Sequence, residues 1–107
     1  MNDVAVQERT DNSDAREDSR DKRARLLLVE DSATQAVRLS HLFEQQGWEV
    51  ACATTAENAL EELNRRLPDL IVSDHHLPGM QGDALCQRVR QNLNTRGIPI
   101  LMLTSQD

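Results

Sequence analysis

Three short, unbroken apolar runs constrain what this chain can fold into: Leu26-Leu27-Leu28-Val29, Leu70-Ile71-Val72 and Ile100-Leu101-Met102-Leu103. None alternates with polar residues, as a strand with one wet face would. Each therefore reads as a strand covered on both faces, which is the habit of parallel sheets. Parallel strands need crossover connections, and the segments between the runs carry helical spacing. Ser32 offers an N-cap to a helix with Ala36, Leu39, Leu42, Phe43 and Gln46 on one side, and Gly47 offers a left-handed end. Residues 48–53 form another strand. Thr54 and Thr55 then lead into a helix carrying Ala59, Leu60, Leu63 and Leu67, which Pro68 closes. The third strand covers 69–74 and is followed by a loop with the turn formers Pro78, Gly79 and Gly82. Asp83 is placed to cap a helix with Ala84, Leu85, Cys86 and Val89 inward, and residues 98–104 make a fourth strand. Strand–helix three times and a closing strand predicts an α/β domain with right-handed crossovers.

The chain has 107 residues, enough for one domain. Residues 1–22 mix acids, arginine, serine and asparagine with almost no apolar content. They are expected to form a disordered charged tail, leaving 23–107 as the domain. The formal net charge is −6 and no segment offers a dense Lys/Arg face, which argues against a nucleic-acid partner. No run is long enough to span a bilayer, and the N-terminus lacks the apolar core of a signal peptide, so a cytoplasmic location is expected. Cys52 and Cys86 are expected as buried free thiols.

Acids stand where the strands end. Glu30 and Asp31 follow the first strand, Asp74 ends the third, and Thr104 ends the fourth. Ligands of open α/β sheets bind at that edge, and the side chains converge there if strands one, three and four are neighbours. Carboxylates about 5 Å apart repel by ~3 kcal/mol per pair at an effective dielectric near 20, so the cluster calls for a cation. An incomplete all-oxygen cage favours Mg²⁺. A carboxylate beside that ion can attack phosphorus, and a hydroxyl such as Thr104 can donate to a phosphoryl oxygen.

The stretch VSDHHLPGM permits a rival chemistry, in which Asp74, His75 and His76 hold the catalytic ions of a DHH-type metal phosphoesterase. Such enzymes also use an upstream pair of alternating acids, whereas VEDSAT has adjacent ones. A third reading is a non-enzymatic, unphosphorylated interaction scaffold.

At these residues the sequence resembles the receiver domain of two-component response regulators, a flavodoxin-like (CheY-like) doubly wound parallel sheet. The matching stretches are LLLVEDS, the helix ending in QQGWEV, PDLIVSDHHLPGMQGDALCQRVR and IPILMLTS, in family order over 25–105. They include the D-x-x-L-P-x-x-x-G pattern from Asp74 to Gly82. The resemblance implies that Asp74 is the phosphoacceptor. It implies a Mg²⁺ site made by Asp31, Glu30, Asp74 and the backbone carbonyl of His76. Thr104 would bond the phosphoryl group, Ser105 would leave the site open, and the side chains of His76 and Gln106 would influence the lifetime of the acyl phosphate.

The implied partner is a sensor histidine kinase or phosphotransfer protein, with a dimer contact or output domain outside this chain. The module would not be an enzyme beyond its own phosphorylation and dephosphorylation. One departure stands out. Receivers continue through a fourth helix, a fifth strand bearing a lysine, and a fifth helix, whereas the only lysine here is Lys22. The expected fold is therefore incomplete, with four strands and three helices. Strand four would then be an exposed apolar edge and part of one sheet face would lie bare, leaving the domain marginal or aggregation-prone.

Overall fold

A computed structural model describes residues 23–103. The expected tail, Thr104, Ser105 and Gln106 lie outside the described residues. Four strands and three helices alternate: β1 (Arg25–Val29), α1 (Ala33–Gln45), β2 (Glu49–Ala53), α2 (Ala56–Arg65), β3 (Leu70–Asp74), α3 (Gly82–Gln91) and β4 (Ile100–Leu103). All pairings are parallel, as the apolar runs predicted, and the strand order is β2-β1-β3-β4, which makes β1, β3 and β4 consecutive neighbours.

Strand β1 lies between β2 and β3, and Leu26 to Val29 are at most 1% exposed. Alternation sends Leu27 and Val29 to one face, where they pack with Ala56, Ala59 and Leu63 of α2 and Leu85 and Val89 of α3. Leu26 and Leu28 face the other way, toward Ala36, Leu39 and Phe43 of α1. This two-sided burial is why the run is continuously apolar.

Helix ends follow local chemistry. Ser32 Oγ accepts from Gln35 N at 3.2 Å, and Thr55 Oγ1 accepts from Asn58 N at 3.0 Å, each satisfying an orphan donor of a first turn. At the end of α1, Gly47 takes φ +99°. Its N–H donates to Glu44 O at 3.0 Å while Trp48 N donates to Phe43 O at 3.2 Å, the paired closure of a Schellman motif.

Several expectations are corrected. Leu42 is 56% exposed: it lies beside the stripe of Ala36, Leu39 and Phe43 rather than within it, and α1 contains no buried residue. Leu67 is 49% exposed because α2 ends at Arg65 and Arg66 is extended, so the leucine leaves the helical face. Asp83 does not cap α3. The cap is Gln81, without a side-chain hydrogen bond, and Asp83 lies in the first turn, its Oδ1 accepting from Ala84 N at 3.0 Å. Gly82 is the first residue of α3 rather than a turn former, whereas Gly79 turns the loop with φ +81°. The cysteines are free but not buried: Cys52, on the edge strand β2, is exposed, and Cys86 is half-buried. Among the described residues β4 is the other edge, with Leu101 49% exposed.

A loop between α3 and β4 is tied down by a residue the sequence did not flag. Thr95 is 5% exposed and its hydroxyl donates to Val89 O at 2.7 Å. Across the far end of the sheet, Arg25 lies near Glu49 (3.6 Å) and Glu62 (4.0 Å), tying β1 to β2 and α2. No helix among the described residues is long and apolar enough to cross a membrane.

The capping assignments make a direct comparison. Thr55→Ala is expected to cost about 1 kcal/mol in urea unfolding, whereas Asp83→Ala should cost on the order of 0.5 kcal/mol or less, the worth of one charge near a helix N-terminus. Equal losses would restore Asp83 as the cap.

Candidate functional site

The strand order reverses direction between β1 and β3: β2 lies outside β1 and β4 outside β3. Crevices of open α/β sheets form at such a switch point, beyond the carboxyl ends of the strands. Register brings the acids there together. Val29 pairs with Ser73, so Glu30 leaves β1 beside Asp74, the last residue of β3. Glu30, Asp31 and Asp74 each offer a carboxylate oxygen within 4.8 Å of the others.

The three acids differ in environment. Glu30 is 6% exposed, Asp74 is half-buried and Asp31 is exposed. Backbone contacts hold the inner ones. Glu30 N donates to Ala53 O at 2.9 Å, and Glu30 Oε2 accepts from Ser32 N at 3.1 Å. Asp74 Oδ1 accepts from His76 N at 3.2 Å.

Burial pushes the Glu30 carboxyl above its usual range, the Ser32 amide opposes this, and the charges of Asp74 and then Asp31 push it further up. A carboxylate cluster so placed gains from a cation, which would relieve the repulsion and favour the ionised form of Glu30. Three hard oxygen donors on one open edge fit Mg²⁺, a small hard cation that takes oxygen ligands and keeps several waters.

The loop after Asp74 is fastened at both ends. His75 N donates to Leu103 O of β4, and Gly82 N donates to His75 O, both at 2.9 Å. Leu77, 3% exposed, plugs the loop into the core. Gly82 makes the tightest contact. A Cβ built there would lie 2.7 Å from Asp74 O, 3.0 Å from His75 Cα and 2.5 Å from Met102 Cε. Glycine at that position lets the start of α3 approach the end of β3.

The predicted residues therefore divide. Glu30, Asp31 and Asp74 come together, and the backbone of His76 lies two residues along the same loop. The His75 and His76 rings pack edge to face, 5.0 Å between centroids, and neither belongs to the grouping of possible metal ligands found among the described residues. Thr104, the residue after Leu103, lies outside the described residues. Sequence reasoning passed over Ser73, fully buried, whose hydroxyl donates to the Asp74 carbonyl at 2.9 Å. The only signal for it was a hydroxyl inside an otherwise apolar run.

Comparison with known proteins points one way. The family model for the response regulator receiver domain matches residues 26–107. The phosphate regulon transcriptional regulatory protein PhoB of Rhizobium meliloti is 39% identical over 82 residues, covering 77% of this chain and 36% of the relative. The transcriptional regulatory protein AfsQ1 of Streptomyces coelicolor is also 39% identical over 82 residues, covering 77% of this chain and 35% of the relative. The chain thus spans about a third of the length of these curated relatives. Among solved structures, a putative response regulator from Chloroflexus aurantiacus aligns with a TM-score of 0.77 at 44% identity, over 79% of this chain and 70% of that one. The chemotaxis response regulator CheY4 of Vibrio cholerae aligns with a TM-score of 0.76 at 33% identity, over 79% and 71%.

Two outcomes are expected of the site. Gly82→Ala should destabilise the domain by about 1–3 kcal/mol in thermal or urea unfolding, because the Asp74 and His75 backbone, and not only the flexible Met102 tip, blocks the added methyl. The second concerns pH. The folded pKa of Glu30 lies above its unfolded value, so its contribution to stability is complete at acid pH and lost as pH rises through the folded pKa. In chelator-treated protein, Glu30→Gln should raise Tm at neutral pH and make little difference near pH 4. A variant that melts below the parent at neutral pH would contradict this.

Proposed function

This chain belongs to the response regulator receiver family of two-component systems, and from that membership we propose that it accepts a phosphoryl group on Asp74 with Mg²⁺ as cofactor. The observation that carries the reading is the meeting of Glu30, Asp31 and Asp74 at the switch point between β1 and β3. Asp31, Glu30, Asp74 and the His76 backbone carbonyl would hold the ion. Bound there, Mg²⁺ supplies charge neutralisation for the carboxylates and the incoming phosphoryl oxygens.

The remaining work belongs to the chain. An Asp74 oxygen attacks phosphorus, forming the O–P bond of an acyl phosphate. The donor's bond to phosphorus breaks at the same centre, and its electron pair leaves with the donor: the imidazole of a kinase's phosphohistidine, or the carboxylate of a small acyl phosphate. The His76 amide, which donates to Asp74 Oδ1, keeps the carboxylate oriented for this attack. Glu30 is held inward by the Ser32 amide, which keeps its charge directed at the site. Thr104, following β4, would donate to a phosphoryl oxygen.

In this reading residues 23–107 form the receiver and 1–22 a charged tail. The module is a phosphoacceptor and not an enzyme that turns over a separate substrate. Its partner is a sensor histidine kinase or phosphotransfer protein in the cytoplasm, and the output is delivered by another domain or protein.

The test is Mg²⁺-dependent labelling of the chain by a radioactive small phosphodonor, with acid- and hydroxylamine-based identification of the acyl phosphate. Labelling should disappear with chelator and in Asp74→Asn. Stable label in Asp74→Asn would remove Asp74 from the role, and a parent chain that takes no label would favour the interaction-scaffold reading.

A further inference from the structure

Ser73 is the one polar side chain in the fully buried stretch of β3, at 0% exposure. It follows Ile71 on the face packed against α2 and α3, where the cluster is otherwise apolar. A buried hydroxyl is costly there unless it is bonded. It donates to the backbone carbonyl of Asp74 at 2.9 Å.

That carbonyl has an unusual position. The β1–β3 ladder stops at the Val29–Ser73 pair, while Glu30 N closes the β1–β2 ladder on Ala53 O. Asp74 O therefore lies one residue past the last β1–β3 pair. The same oxygen is the backbone atom nearest to a Cβ built at Gly82, at 2.7 Å. The neighbouring groups of the same peptide and the next are also pinned, His75 N to Leu103 O and His75 O to Gly82 N. With Ser73, three hydrogen bonds set the planes of the peptides that carry Asp74 and lead to His76.

We propose that Ser73 is a positioning residue for phosphoryl acceptance. Its hydroxyl fixes the Asp74 carbonyl, and through that peptide it fixes the direction of the Asp74 carboxylate and of the His76 segment that would complete the cation site. The proposal rests on the assignment of Asp74 as the acceptor. A serine chosen only for small size would serve equally well as alanine; a serine chosen for its hydroxyl would not.

The experiment compares Ser73→Ala with the pair Ser73→Thr and Ser73→Val, which are equal in shape and differ in the hydroxyl. Two readouts are taken on the full chain: Mn²⁺ affinity by electron paramagnetic resonance, and the rate of labelling by acetyl phosphate at saturating Mg²⁺. Removing one hydrogen bond that orients a ligand should weaken Mn²⁺ binding and slow labelling by about three- to tenfold in the alanine and valine variants. Threonine should restore both toward the parent. The added methyl affects the melting temperature of threonine and valine variants alike, so a packing role alone would not separate them.

Alanine behaving as the parent in both readouts, or threonine and valine behaving alike, would overturn the proposal. A parent chain that takes no label would instead sink the assignment of Asp74, and the Mn²⁺ comparison would still decide the part Ser73 plays in the site.

Discussion

Parallel pairing of β1 with β3 is the interaction on which the site depends. It places Val29 opposite Ser73, so the chain leaves both strands at one point and sets Glu30 and Asp31 beside Asp74. Had β1 paired with β2 alone, the first two acids would have stood at an edge with no third. The pairing is secured by burial. Leu26, Leu28 and Val72 on one face, and Leu27, Val29 and Ile71 on the other, are withdrawn from water. Each such side chain contributes about 1.5–3 kcal/mol when fully buried, so together they offset the repulsion of three partly solvated carboxylates. The core thus holds together charges that would separate if left to themselves.

That tension gives the site its chemistry. Glu30 is nearly buried and its carboxyl resists ionisation; Asp31 is open to water, and Asp74 lies between them in exposure. The arrangement is poor for an apoprotein and good for a hard cation. The backbone supplies the remaining order. Ser32 N and His76 N each direct one carboxylate, and the loop from Asp74 to Gly82 is clamped by β4 and by the start of α3.

The histidines of VSDHHLPGM illustrate how a motif misleads when read without its fold. Beside an acid they suggest metal ligands, yet their rings pack edge to face against each other and lie outside the acidic grouping. In the same stretch the residues without reactive side chains matter more. Leu77 anchors the loop in the core, and Gly82 makes room for the Asp74 carbonyl. Helix faces were legible to a similar degree. Ala36, Leu39 and Phe43 pack inward as their spacing implies, whereas Leu42, one step off that stripe, is left in water.

By itself the sequence determined the order and type of the elements, the strand ends bearing Glu30, Asp31 and Asp74, and the glycine stop at Gly47. These are local properties, set by apolar periodicity, capping groups and backbone freedom within a few residues. Only the tertiary structure decided which strands are neighbours, and therefore that three acids from separate segments meet within 4.8 Å. It also decided that Gln81 rather than Asp83 precedes α3, that Thr95 and Ser73 are buried, and that the hydroxyl of Ser73 meets the Asp74 carbonyl. Those outcomes depend on what lies across the sheet or beyond a ladder's last pair, and residue spacing along a chain carries no record of it.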